Sequence, residues 1–170
     1  MSVLVSNILQ LSRLENQKIT PTPRPFNLSE ALSRCILNYD ALLDEKDLEL
    51  EARMDQDLVV RGDEGLLDMV WSNLISNAIK FTPPKGKIEV EARREEEFLL
   101  VSVSDSGCGI PREAAERIFD KFYQADPSHS TQGNGLGLAL VKRILDLMGG
   151  SISVVSAPGQ GSVFTVRLKL

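Results

Sequence analysis

Histidine and cysteine are scarce in this chain. One histidine, His129, and two cysteines, Cys35 and Cys108, stand among 170 residues, which does not supply the Cys/His spacing that holds zinc. The cysteines read as reduced thiols. A lone histidine also gives no order of serine, histidine and aspartate from which a hydrolytic triad could be argued. Cys108 has no recognisable base beside it and reads as a small loop filler rather than a nucleophile. No apolar run reaches the roughly 20 residues needed to span a bilayer, and the amino terminus lacks the basic start and cleavage site of a signal peptide, so a soluble piece is expected. Basic residues are outnumbered, 19 Lys and Arg against 24 Asp and Glu for a net charge of -5. No Lys/Arg block is dense enough to follow a nucleic-acid backbone, and nucleic acid is not expected as a partner. The phosphate loop Gly-x-x-x-x-Gly-Lys-Ser/Thr is absent as well.

Hydrophobic residues make up 42% of the chain and charged residues 25%, which suits one ordinary globular domain. Between residues 5 and 15, Ile8, Leu9, Leu11 and Leu14 recur at helical spacing and predict an amphipathic helix with no partner near it in the sequence. Thr20-Pro21-Thr22-Pro23-Arg24-Pro25 cannot continue that helix, because proline lacks an N–H and pushes its predecessor toward extended geometry. A domain boundary is expected there. Beyond it, Asn27 or Ser29 caps a predicted helix to about residue 43, strands are expected at 48–52 and 58–60, and a second helix at 64–81 ends at Thr82-Pro83-Pro84. Residues 87–94 and 98–104 predict an antiparallel hairpin. Short helical turns are expected at 113–122, a polar surface segment at 124–134, a third long helix at 135–148 stopped by Gly149-Gly150, and a last pair of strands at 151–156 and 162–168. Helices segregated on a mixed or largely antiparallel sheet make an α+β sandwich.

Three places carry candidate chemistry. Gly133-Asn134-Gly135-Leu136-Gly137-Leu138 opens into the apolar run 139–148; bare N–H groups at the start of a helix favour an anion such as phosphate, and the same glycines could equally form a hinge. On the second helix Asn73, Asn77 and Lys80 fall within roughly 60° of one another, while Leu67, Trp71, Leu74, Ala78 and Phe81 fall on another face. An amide oxygen suits Mg²⁺ and a lysine suits phosphate, but a solvated polar face would read alike. Asp105 precedes Gly107 and Gly109; it is either ordinary turn chemistry or an acceptor for an exocyclic amine, with glycines that let a planar base approach the chain. Lys121 and Tyr123 are phosphate contacts or surface residues, and His129 reads as a surface histidine in a polar loop.

Taken in order, Asn73-Leu74-Ile75-Ser76-Asn77-Ala78-Ile79-Lys80-Phe81-Thr82, Asp105-Ser106-Gly107-Cys108-Gly109-Ile110, Ile118-Phe119-Asp120-Lys121-Phe122-Tyr123 and Gly133-Asn134-Gly135-Leu136-Gly137-Leu138 resemble the N box, first glycine box, F box and second glycine box of sensor histidine kinases. The resemblance covers about residues 26–170, including Gly159-Gln160-Gly161-Ser162-Val163-Phe164. It implies a two-layer α+β sandwich of the Bergerat ATP-binding type, a mixed sheet of about five strands on three helices, as in gyrase, MutL and the large heat-shock chaperones.

The same resemblance implies ATP and Mg²⁺ as cofactors. Asn77 is then the Mg²⁺ ligand, Asn73 and Lys80 face the phosphates, Phe81 packs on the nucleotide, and Asp105 accepts from the adenine amine. Gly107 and Gly109 shape the base pocket, Gly133, Gly135 and Gly137 form the phosphate-facing end of a lid at about 124–132, and Ile110, Lys121, Tyr123, Leu136 and Leu138 complete the ATP-contacting set. The chain departs from the family pattern in having Gln132 where another glycine is frequent and His129 where arginine is frequent. Residues 7–15 resemble the end of the second helix of a dimerisation and phosphoacceptor hairpin. Residues 1–20 are thus expected to be a truncated remnant of it, and 21–170 the catalytic domain. The implied activity is transfer of the γ-phosphoryl group to a histidine on the missing hairpin, then to a response-regulator receiver domain. The fragment is expected to be a cytoplasmic monomer unable to phosphorylate itself and the parent a homodimer, with an inner-membrane sensor and a parent that does not span a membrane both left open by the sequence. Two other readings share the fold: a nucleotide-binding regulatory module without catalysis, and a serine kinase of the anti-sigma type.

Overall fold

A computed structural model of the chain describes residues 3–16, 19–124 and 134–170. In chain order the elements are α1 (Val3–Asn16), β1 (Arg24–Asn27), α2 (Leu28–Leu37), α3 (Asp40–Glu45), β2 (Glu49–Met54), β3 (Val59–Gly62), α4 (Glu64–Phe81), β4 (Lys87–Glu95), β5 (Phe98–Asp105), α5 (Arg112–Ala115), α6 (Gly137–Leu147), β6 (Ser151–Ser156) and β7 (Ser162–Lys169). Five strands form one sheet in the order β2-β4-β5-β7-β6. The β2–β4 pair is parallel and the other pairs are antiparallel, so the sheet is mixed as expected.

Alternation decides which face of that sheet is dry. Ile88, Val90 and Ala92 of β4, Leu99, Val101 and Val103 of β5, and Phe164, Val166 and Leu168 of β7 are buried at every second position. Helix α4 lies over them, and its buried residues Leu67, Val70, Trp71, Leu74, Ile75, Ala78 and Ile79 follow the helical period. Both its ends are chemically marked. Asp63 Oδ1 accepts the Leu66 N–H at 3.1 Å, and Thr82 leaves the helix with ψ 127°, as a residue before proline must. Helices α2 and α6 flank α4 and complete the layer. The three-helix, five-strand sandwich is thus the observed architecture.

The structure corrects several boundaries. Arg24–Asn27, inside the proline-rich stretch expected to be a bare linker, pairs antiparallel with β3, with Pro25 opposite Arg61. Proline is tolerated because a two-stranded ribbon leaves each strand an outer edge where no donor is needed. The helix expected to run to residue 43 is two helices, α2 capped by Asn27 and α3, broken at Tyr39, whose hydroxyl lies 2.6 Å from Ser72 Oγ on α4. The third long helix starts at Gly137, because Gly135 has φ 67°, outside the helical region. Helix α1 has a partner after all. Leu11 and Leu14 are buried in the core, α1 packs on α6, and Arg143 of α6 donates to the Leu14 carbonyl at 3.3 Å. Ile8 and Leu9 stay exposed. No helix among the described residues is long and apolar enough to cross a membrane.

Candidate functional site

At one end of the sandwich the loop after β5 meets the last turn of α4, while the first turn of α6 meets α4 at Asn73, about two turns earlier. Asp105 continues the inward row Leu99, Val101, Val103, so a carboxylate stands where the pattern demands a buried side chain. It is only 9% exposed. Its Oδ1 accepts the Gly107 N–H at 2.8 Å. Burial pushes its pKa above the ordinary carboxylate value, against the opposing pull of the Gly107 and Ser162 backbone N–H groups.

The glycines around Asp105 serve contact between parts of the chain itself. A Cβ on Gly107 would lie 2.5 Å from the Phe81 carbonyl oxygen and 2.6 Å from Asp105 Oδ1, and one on Gly109, where φ is 71°, would lie 1.9 Å from the Ala157 carbonyl oxygen. Gly161 presses on the Asp105 carbonyl in the same way, at 1.9 Å. The loop is also stitched to the β6–β7 turn, since Gly159 N donates to the Cys108 carbonyl at 2.7 Å and Ile110 N donates to Ser156 Oγ at 2.8 Å. Half-buried Ile110 packs on the core from there, while Cys108 is exposed.

On α4, Asn73, Asn77 and Lys80 are all half-buried, so their stripe is neither core nor open surface. Asn73 Nδ2 donates to the Met69 carbonyl at 2.7 Å. Its Oδ1 points at α6, 2.7 Å from where a Cβ on Gly137 would be, so that glycine lets the two helices meet at this amide. Asn77 makes no side-chain hydrogen bond among the described residues. Lys80 Nζ stands 4.5 Å from the centroid of the Phe81 ring, and burial lowers its pKa. Phe81, which falls on the same side of the helix as the buried Leu67 and Trp71, is the last residue of α4 and is 39% exposed.

The F box and second glycine box meet across their backbones. Phe122 N donates to the Gly135 carbonyl at 2.9 Å, and a Cβ on Gly135 would lie 2.7 Å from the Tyr123 carbonyl oxygen. The Arg117 guanidinium lies over the Tyr123 ring at 4.4 Å. Lys121 points elsewhere, forming a 2.5 Å ion pair with Glu15 of α1. Leu136 is buried, Leu138 half-buried, and α6 begins with no side-chain cap and no acidic residue in its first turn. Its first N–H groups are therefore suited to an anion. Gly133, Gln132 and His129 lie outside the described residues.

A motif reading missed two contributors. Lys46, between α3 and β2, donates through Nζ to the carbonyls of Ile79, Lys80 and Thr82. Thr82, 1% exposed, donates from Oγ1 to the Ala78 carbonyl at 2.6 Å. No local pattern announces the first, since the partners are more than thirty positions apart; a threonine before a proline hints at the second. Among the described residues no group of three or more His, Cys, Asp or Glu side chains could hold a metal ion. A Mg²⁺ here would need an amide oxygen, water and the phosphates of a ligand as donors, and the unengaged Asn77 amide fits that demand.

A family described as "Histidine kinase-, DNA gyrase B-, and HSP90-like ATPase" matches residues 62–170. The chain is 40% identical over 171 residues to the sensor histidine kinase RcsC of Escherichia coli (strain K12), covering 98% of this chain and 18% of that protein. Among solved structures it is similar to full-length ShkA in complex with AMPPNP, at a TM-score of 0.87 and 31% identity over 97% of this chain and 35% of that one. It is also similar to the histidine kinase ThkA in complex with the response regulator protein TrrA, at a TM-score of 0.81 and 27% identity over 98% of this chain and 47% of that one. The chain spans less than half of each of these proteins and under a fifth of RcsC. Carrying the four motifs on a five-stranded α+β sandwich, the chain belongs to the histidine kinase-, DNA gyrase B- and HSP90-like ATPase family, as a catalytic and ATP-binding domain of the sensor histidine kinase kind.

Proposed function

We propose that this domain binds Mg²⁺-ATP between the last turn of α4, the 105–110 loop and the start of α6, and that it supplies the nucleotide half of a protein-histidine kinase in two-component signalling. The observation that carries the reading is Asp105, a carboxylate kept buried at the end of an apolar strand row with one oxygen on Gly107. Its other oxygen is the acceptor for the adenine amine, and Phe81, exposed beside it, is the apolar surface for the nucleotide. Asn77 is the side chain that holds Mg²⁺, which when bound neutralises phosphate charge. Lys80 and the uncapped N–H groups of α6 meet the phosphates, and Asn73 fixes the spacing between α4 and α6. Phosphoryl transfer asks the protein chiefly to position and neutralise, and these residues do that.

The γ-phosphoryl group passes to a histidine outside these 170 residues, on a hairpin whose last part is residues 1–20, and then to an aspartate of a receiver domain. His129 is the only histidine here, and its surroundings in sequence, Ser130-Thr131-Gln132, carry no acidic residue or proline of an acceptor motif. The test is direct. The 170-residue chain binds AMPPNP with Mg²⁺ in calorimetry, yet acquires no acid-labile, base-stable label from γ-labelled ATP. Failure to bind nucleotide would overturn the reading, and label on His129 would overturn the assignment of the acceptor.

The Lys121 ammonium is already paired with Glu15, 2.5 Å away, so a phosphate that draws on the same charge weakens that pair. Nucleotide and α1 then compete for one ammonium group, and each weakens the hold of the other. Because both side chains are substantially exposed, Glu15→Gln should tighten AMPPNP binding only about twofold at low salt. The gain disappears at high salt, where the pair is already screened. Equal affinities for Glu15→Gln and the unmutated chain at low salt would remove Lys121 from the phosphate contacts.

A further inference from the structure

The tripod made by Lys46 is the least expected contact in the molecule. Its Nζ donates to Ile79 O at 2.7 Å, Lys80 O at 3.2 Å and Thr82 O at 2.7 Å. An ammonium group has three donors, and all three are used. Two of the acceptors, Ile79 O and Lys80 O, are carbonyls of the last turn of α4, which have no intrahelical N–H and carry the negative end of the helix dipole, and the third, Thr82 O, lies just past it, so a cation is matched to them in number and sign. Lys46 is itself held, its own carbonyl accepting from Lys85 N at 3.1 Å. The run 79–82 has four carbonyls, and the one Lys46 does not take, Phe81 O, is turned to Gly107, 2.5 Å from where a Cβ would sit there. Gly107 in turn donates to Asp105 at 2.8 Å.

We propose that Lys46 is a positioning residue for the nucleotide site. By fixing three carbonyls on one side of the α4 exit, it sets the fourth against Gly107 and so sets Phe81, Lys80 and the loop that carries Asp105. The proposal rests on the ATP-binding reading above. It concerns geometry shared by every adenine nucleotide, because the parts positioned lie beside Asp105 rather than only at the terminal phosphate.

Lys46→Met, Lys46→Arg and the unmutated chain are compared with Mg²⁺-AMPPNP and with ADP by calorimetry. Backbone amide shifts of Gly107 and Asp105 are recorded without nucleotide. Losing charge-assisted bonds at the exit should weaken Lys46→Met about tenfold for both nucleotides, while the protein still melts cooperatively. The Gly107 and Asp105 amides should shift, and those of β6 should not. Lys46→Arg keeps the charge at the helix end but presents a planar fork in place of a tripod, so it should recover part of the affinity and not all. The proposal is overturned if Lys46→Met binds both nucleotides as the unmutated chain does, or if both variants lose stability while the Gly107 amide stays in place. If the unmutated chain itself binds neither nucleotide, the ATP-binding reading falls and this one with it. Binding by the unmutated chain and equal binding by the variants overturns this one alone.

Discussion

Asp105→Asn should abolish nucleotide binding by a domain that melts no lower than the unmutated one. The asparagine keeps an oxygen for the Gly107 N–H, now 2.8 Å from Asp105 Oδ1, so the turn is preserved. It replaces the other oxygen with an amide N–H₂, which would face the adenine amine donor to donor in a buried place. Opposing two buried donors should reduce affinity about a hundredfold or more. Stability should move the other way. Burial raises the Asp105 pKa, and the Gly107 and Ser162 N–H groups only offset it. A carboxyl whose folded pKa lies above its unfolded value contributes stability that is fully present below the unfolded pKa and is lost as pH rises through the folded one. At neutral pH the ionised group therefore costs stability, and a neutral isostere removes that cost. The unmutated domain should show both halves of this trade as pH falls through the raised pKa, with nucleotide affinity dropping while the Asp105 contribution to stability is regained. Calorimetry with AMPPNP and thermal melts of both proteins check the prediction. An Asp105→Asn protein that binds within about threefold of the unmutated chain would mean that Asp105 belongs to the turn alone.

What is legible in the sequence follows from where each signal is stored. Helix α4 was legible to its last residue because both ends carry local chemistry, Asp63 before it and Thr82-Pro83 after it. The β4–β5 and β6–β7 pairs were legible because alternation and turn residues are also local. Strand β1 was not, since a proline reads as a breaker until its partner β3 supplies an edge. The break between α2 and α3 is tied to Ser72, 33 positions away, and the docking of α1 is tied to Arg143, 129 positions from Leu14. The candidate site divides in the same way. The four motifs could be ordered along the chain from residue types alone. That Gly107 and Gly109 make room for the chain's own carbonyls, and that Lys46 secures the α4 exit, depends on tertiary contacts no local pattern contains.

Gly107→Ala should damage both the fold and the site, and a second glycine separates the causes. The backbone of Gly107 is not in the left-handed region, so alanine meets no conformational objection there. The obstacle is steric, with the new methyl carbon 2.5 Å from Phe81 O and 2.6 Å from Asp105 Oδ1, both below any tolerated contact. Neither obstacle is the loose end of a long side chain. One is main chain held between Lys46 and the α4 exit, the other a short carboxyl bonded to the same glycine. Overpacking of this kind should cost about 1–3 kcal/mol. The forced shift falls on the Phe81 exit and the Asp105 carboxylate together, and displacements near 1 Å in a binding site can cost about a hundredfold. Gly149→Ala is the contrasting case. Gly149 has φ 68° with nothing within 4 Å of a Cβ, so that variant carries only backbone strain of about 1 kcal/mol. It lies just past the far end of α6 and should leave nucleotide affinity unchanged. Urea midpoints and AMPPNP titrations of the two variants separate strain from collision. If Gly107→Ala bound nucleotide as Gly149→Ala does, the close approach of the 105–110 loop to the α4 exit would have no part in forming the ATP site.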